Sequence, residues 1–287
     1  MSMSANLLAT NENVKNMQRA RGHGEIFVKR SGAQNRLERL YQEGCARLRM
    51  PNHNKQDPIE AMMINTSGGL TDDDHLSWKF GVEDGAELTI TSQACERIYK
   101  ASRPMPAKID VDITVGKGGS FAWLPQETIF FDQARLKRSI HVELAQDSEF
   151  LMVEPLMFGR PAMDEIVTSA SLNDTWRIYH DEQLIHAENQ KIDGNIDQIL
   201  KRDTVTSGDL ATAFILYIGP KAEAKFEQIN QPNETNTGTS IWQLHDQKTH
   251  KLVVRMSAAT SYELRKSLIP IINILNDKNT LPKVWHS

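Results

Sequence analysis

The sequence predicts a mainly β fold: a body of stacked β coils, β-helix-like, with a few helices that include one at the C-terminus. Three observations carry that expectation. Apolar residues alternate at period two through the first two thirds of the chain, as half-buried strands require. One strand–turn–strand unit recurs three times, its copies starting at Val82, Val115 and Leu144, or 33 and 29 positions apart. Finally, an apolar stripe at helical spacing closes the chain.

Residues 1–20 are polar and rich in Asn, and read as a flexible tail. Residues 21–287 read as one β-rich domain, because no Gly-, Pro- or Ser-rich linker divides them. Glu25 to Val28 and Ala86 to Thr91 are expected strands. Ile109-Asp-Val-Asp-Ile-Thr-Val115 places every second residue on one face. Ile140, Val142 and Leu144 repeat the pattern, with His141 and Glu143 pointing the other way. In the recurring unit a polar turn leads to a small residue (Ala86, Gly119, Ser148). Apolar residues follow two and four positions later: Leu88 and Ile90, Phe121 and Trp123, Phe150 and Met152. Such a repeat suggests coils stacked on one another, although three ordinary joins of similar turn chemistry would look alike.

The stretch Ser120 to Phe131 departs from regularity. Proline inside a strand is confined to edges, first positions or bulges, so Pro125 marks a bend that presents Gln126 and Glu127. Ser92 and Glu154 occupy that step in the other copies, and the second coil is therefore expected to leave its regular path there. Beyond it, Trp176–Tyr179 with Leu184–Ala187, and Ile241–His245 with His250–Val254, read as hairpins. Ala211 to Ile218 reads as a strand buried on both faces, Lys221 to Ile229 as a short helix, and Gln231 to Gly238 as a loop. Thr260 and Glu263 have capping-box spacing, ahead of the stripe Leu264, Leu268, Ile271, Ile272 and Leu275. Pro270 inside it is expected to kink or split the helix.

Composition narrows the function. A net charge of -4 argues against a nucleic-acid binder. Two distant cysteines, Cys45 and Cys95, fit a reducing cytoplasm. The apolar run 211–218 is far short of the roughly 20 residues that span a bilayer, and the N-terminus lacks the apolar centre of a signal peptide. Basic residues predominate from Lys15 to Arg49 and acidic ones from Asp57 to Glu96; these are either solvated surfaces or separate docking faces. No phosphate-loop, nucleophile-elbow, H-E-x-x-H or paired C-x-x-C motif is present. Two weak metal options remain: His245 with His250 across a hairpin turn, and the oxygen-rich Asp72-Asp-Asp-His75, where Asp74 offers a transient contact.

Several separated motifs resemble one family, the urease accessory protein UreD, also called UreH. They are Asn65-Thr-Ser-Gly-Gly-Leu70 (with Gly68 and Gly69) followed by Asp74, Trp123-Leu-Pro-Gln-Glu-Thr128 (with Pro125, Gln126 and Glu127), and Ile90-Thr-Ser-Gln-Ala94 with Tyr99. Gly159-Arg160 with Glu165, Val254-Arg255 and Leu281-Pro-Lys-Val-Trp285 complete the set. Two departures stand out: Asp72 and Asp73 replace glycines the family usually has before Asp74, and Asp164 replaces one before Glu165. Aspartate is a tolerable substitute at positive φ, so the turn is expected to survive with a more negative surface.

The resemblance implies a non-enzymatic scaffold and chaperone in the cytoplasm. Such proteins join a helical partner, UreF, and a GTPase, UreG, on the urease apoprotein and assist nickel insertion. No tightly bound cofactor is implied, only transient nickel(II), with Asp74 and Glu188 as weak oxygen ligands along an interior route. No membrane or nucleic-acid partner is implied. The alternatives are a carbohydrate-active β-solenoid enzyme, using carboxylates such as Glu127 and Glu154, and a plain protein-binding module.

Overall fold

The period-two segments become the strands of two sheets whose inner faces pack on each other. A computed structural model describes residues 18–51, 58–160, 165–230, 236–276 and 281–286. The first sheet has seven strands: β1 (Arg21–Ser31), β2 (Gln34–Gly44), β5 (His75–Val82), β8 (Ala107–Val115), β11 (Arg135–Leu144), β13 (Ala170–His180) and β14 (Gln183–Gly194), in the order β14-β13-β11-β8-β5-β1-β2. The second is built on β3 (Ala46–Arg49), β4 (Ile59–Asn65), β6 (Glu87–Ser92), β9 (Ser120–Leu124), β12 (Glu149–Phe158), β15 (Ala211–Gly219), β16 (Asn236–Gln243) and β17 (His250–Ala258), in the order β16-β17-β15-β12-β9-β6-β4-β3. Short strands β7 (Glu96–Ile98) and β10 (Thr128–Phe130) extend it beside the end of β12.

The chain alternates between the sheets, β5 to β6, β8 to β9, β11 to β12, and each strand pairs in parallel with its counterpart one coil on. The three recurring units lie in register. Val82 pairs with Val115 and Val115 with Leu144; Leu88 pairs with Phe121 and Phe121 with Phe150. The small residues Ala86, Gly119 and Ser148 are all buried, at the corner where the chain changes sheet. Phe80 of the first sheet packs on Phe121 and Trp123 of the second, with ring centroids 5.9 and 5.6 Å apart.

A second core lies on the outer face of the second sheet. There β15 is buried on both sides, and α3 (Ser261–Leu275) covers it with Leu264, Leu268, Ile271, Ile272 and Leu275. The Thr260 hydroxyl caps α3, accepting from the Glu263 N–H at 3.2 Å. At the other end Lys225 of α2 (Ala222–Ile229) donates to the Ile274 and Leu275 carbonyls, both at 2.8 Å, supplying partners that a helix C-terminus lacks. A third short helix, α1 (Ile196–Leu200), follows β14.

Three expectations need correction or placement. Pro270 does not split α3, which runs unbroken through it; the ring is exposed, so its missing N–H falls on the solvent side. Of the expected loop Gln231 to Gly238, Asn236 to Gly238 belong to β16 and pair with Ser257, Met256 and Arg255, while 231–235 lie outside the described residues. The expected tail lies outside them too, except Gln18 to Ala20; Arg19 reaches Asp72, and the Ala20 N–H donates to Asp74. Among the described residues no helix is long and apolar enough to cross a membrane.

Candidate functional site

Parallel register aligns Leu76, Ile109, Arg138 and Asp174 across β5, β8, β11 and β13. The first two are apolar core; the last two put an ion pair in the same inward row. Arg138 donates through Nε to Asp174 Oδ1 at 3.1 Å and through Nη2 to Oδ2, and its Nη1 bonds Glu154 from the opposite sheet. Two indoles complete the network: Trp176 donates to Asp174 at 2.8 Å and Trp123 to Glu154 at 2.5 Å. The three charged side chains are at most 5% exposed. Burial raises the Glu154 carboxyl above its usual range, with Asp174 adding to the effect and Arg138 opposing it. Burial works against the charge on Arg138 as well, but the two carboxylates outweigh it and hold the guanidinium protonated.

This triad stands between two cavities. The smaller, about 190 Å³, is lined by Asn65, Gly69, Cys95, Glu96 and Gln126 among others. The larger, about 600 Å³, is lined by Trp176, Glu188, Phe214 and Arg255 among others. Arg138 and Glu154 belong to both walls, so this ion pair is the partition between them.

The glycine motif shapes the rim of the smaller cavity. Asn65 Oδ1 accepts from the Ser67 N–H and hydroxyl, at 3.0 and 2.6 Å, and its Nδ2 donates to Glu96 at 3.0 Å. Gly69 has φ +148, and a Cβ there would lie 2.3 Å from the Tyr99 ring and 2.8 Å from the Arg97 carbonyl; only glycine fits. Burial lifts the Glu96 carboxyl to about 7, despite the bond from Asn65. The Cys95 thiol is pushed up to about 11 by burial and by Glu127.

The two sequence-predicted metal residues are not brought together. Asp74 sits just before β5 and Glu188 on β14, four strand spacings away across the sheet, or roughly 19 Å. Asp74 is 5% exposed, and its oxygens accept from the Ala20 and Thr71 N–H groups at 2.7 and 2.8 Å. Glu188 lines the larger cavity and pairs with Arg255 at 2.5 Å. His186 Nε2 lies 4.0 Å from Glu188 and lacks a hydrogen-bond partner; burial first, then Lys251 and Arg255, hold this imidazole down to about 4, so it is neutral at pH 7.

At the acidic turn, Asp73 takes φ +57, the conformation expected of a glycine replacement. The expected gain in negative surface comes from Asp73 alone, because the Asp72 side chain is buried. Burial by itself would raise the Asp72 carboxyl, but donation from the Ser102 hydroxyl, the Thr71 hydroxyl and the Ser102 N–H outweighs it and takes it to about 2.

The bend at Pro125 anchors the C-terminal helix. Arg265 of α3 donates to Gln126 Oε1 at 2.9 Å and to both Glu127 oxygens at 3.1 Å, and Trp285 donates to the Leu124 carbonyl at 3.0 Å. The carboxylates considered for glycoside hydrolysis, Glu127 and Glu154, are thus each buried against their own arginine. Gly159 has φ +79, and a Cβ there would meet the Glu165 carbonyl at 2.8 Å. Arg160 pairs with Glu165 at 2.7 Å and lies over the Phe131 ring; Asp164 lies outside the described residues. His250 does not face His245 but pairs with Glu223 at 3.2 Å, because Gln243, not His245, is its partner across the hairpin.

Arg138, Asp174, Glu96 and His186 are absent from the sequence-predicted set. A signal existed for three of them. Arg138 and Asp174 interrupt the inward phase of otherwise apolar alternation, and His186 stands two residues before Glu188, on the same strand face. Glu96 carried none, since its environment comes from Asn65, 31 residues away.

The family model described as UreD urease accessory protein matches residues 20–286. The chain is 43% identical to the urease accessory protein UreD of Agrobacterium fabrum, over 94% of this chain and 92% of that protein. It is 40% identical to the UreD of Mesorhizobium japonicum, over 93% and 94% of the two chains, and 41% identical to that of Brucella suis, over 94% and 95%.

Proposed function

The chain belongs to the UreD urease accessory protein family, and from that premise we propose that it serves urease maturation in the cytoplasm as a non-catalytic scaffold and chaperone. In this reading it docks with UreF and UreG on the urease apoprotein and lets nickel(II) pass through its interior. GTP hydrolysis belongs to UreG, in keeping with the absence of a phosphate-loop motif here. The observation that carries the route is the pair of inter-sheet cavities meeting at Arg138 and Glu154.

A cation in transit needs ligands that bind without holding it, and sparse oxygen donors do so. Glu188 supplies one in the larger cavity, with the neutral His186 imidazole beside it as a nitrogen donor. Asp74 lines neither cavity; it supplies a second oxygen site beside them, through lone pairs left over from its two backbone bonds. Glu96, titrating near neutrality in the smaller cavity, can release a proton as it takes up a cation. Passage between the cavities requires Arg138 to swing away from Glu154.

The test is co-expression with the urease subunits, UreF and UreG, measuring urease-bound nickel and activity. Asp74→Ala with Glu188→Ala should cut nickel loading about tenfold, the effect of losing about 1.4 kcal/mol of binding, while complex formation persists. Normal loading in that double variant removes the route and leaves a scaffold. Full urease activation in cells lacking this chain sinks the maturation reading itself.

A further inference from the structure

We propose that His180, Asp181 and His245 form a binding site for a divalent transition-metal ion, apart from both inter-sheet cavities and independent of the nickel route. One ligand atom from each residue lies within 4.8 Å of the others. The site sits where the turn between β13 and β14 meets the turn between β16 and β17. It is at the end of β13 opposite Ala170, the strand end nearest the Asp72–Asp74 turn, and none of its residues lines either inter-sheet cavity.

The second observation is His180 itself. Parallel register places it at the end of an inward row whose earlier members are Val82, Val115 and Leu144. A fourth aliphatic residue would complete that row; an imidazole with 0% exposure stands there instead. Neither of its ring nitrogens has a hydrogen-bond partner. Buried polar atoms are almost always satisfied, and the exceptions call for a cause such as a bound ion. His245 lies against it with ring centroids 5.5 Å apart and planes at 60°, a contact that satisfies neither nitrogen.

The donor set names the class of ion. Two imidazole nitrogens and one carboxylate oxygen suit zinc, nickel, cobalt or copper rather than calcium or magnesium. Three protein ligands leave a coordination position for water or an outside donor, and the exposed side of His245 gives access to it. Donors on one tetrahedral ion stand roughly 3.3 Å apart, a closure that the surface side chains Asp181 and His245 can make. Asp246 adds negative charge close to His180 but no ligand. Its carboxylate already accepts from the Lys248 and Thr249 N–H groups and the Thr249 hydroxyl, at 3.0, 2.9 and 2.6 Å.

The metal-stripped full-length chain is titrated with zinc(II) by calorimetry and with cobalt(II) by visible absorption. Wild type should take up at least one equivalent, with cobalt bands of a four- or five-coordinate site. His245→Ala and Asp181→Asn, both near the surface and checked for fold by circular dichroism, should each lose one equivalent or bind it at least tenfold more weakly. Asp74→Ala with Glu188→Ala should leave this equivalent in place, which separates the site from the proposed route. No uptake by wild type, or unchanged stoichiometry and affinity in both single variants, overturns the proposal.

Discussion

Replacing Arg138 by methionine keeps most of the side-chain volume and removes the charge that joins the two sheets. Glu154 and Asp174 then face each other, buried, with only the Trp123 and Trp176 indoles as donors. Removing one partner of a buried ion pair costs about 3–5 kcal/mol, and two stranded carboxylates put this case at the upper end. In the variant, burial and mutual repulsion raise the folded-state carboxyl pKa values above the unfolded ones. The native state then binds the extra protons, so stability is retained at acid pH and lost as pH rises. The slope approaches about 1.4 kcal/mol per pH unit for each such proton. Urea unfolding of wild type and Arg138→Met at pH 5 and pH 8 reads both effects, and the variant should lose distinctly more at pH 8. Adding Glu154→Gln should restore part of the loss and flatten its pH dependence, since the remaining carboxylate keeps one indole donor. A loss below about 1 kcal/mol with no pH dependence would refute the view that Arg138 is what holds these two acidic side chains buried together.

Two further outcomes follow from the rim of the smaller cavity. Glu96 titrates near 7 when folded and near 4.5 when unfolded, so the native state holds the extra proton and stability should fall as pH rises across that window. The upper bound is about 3 kcal/mol, reduced because the side chain keeps some solvent contact; Glu96→Gln should flatten the unfolding free energy between those pH values, and an unchanged slope would mean another group titrates. Gly69→Ala drives a methyl into Tyr99 and the Arg97 carbonyl and should lower stability by about 2 kcal/mol or more, whereas Gly68→Ala meets open space and should cost about 1 kcal/mol. Thermal melts of the two variants rank them directly, and equal losses would show that φ rather than the close approach decides.

What the sequence determined by itself is the coil. Period-two alternation fixes which face of each strand is apolar, and a small residue at the same corner of each copy (Ala86, Gly119, Ser148) accompanies the register that pairs Leu88, Phe121 and Phe150. These are local properties, carried by residues a few positions apart, and they are legible one segment at a time. Its capping box and stripe made α3 legible for the same reason, and the motifs around Gly69 and Trp123 pointed to the family. Tertiary structure alone decided the chemistry. Arg138 meets Glu154 because β11 and β12 lie in opposite sheets, and Asp174 because β13 stacks one coil further on, 36 residues along the chain. Likewise His245 lies against His180 rather than His250, since hairpin register turns His250 toward Glu223. A buried charge or an unpartnered imidazole is defined by what surrounds it, and in a stacked coil those surroundings come from neighbours about one turn of the coil or more away in sequence.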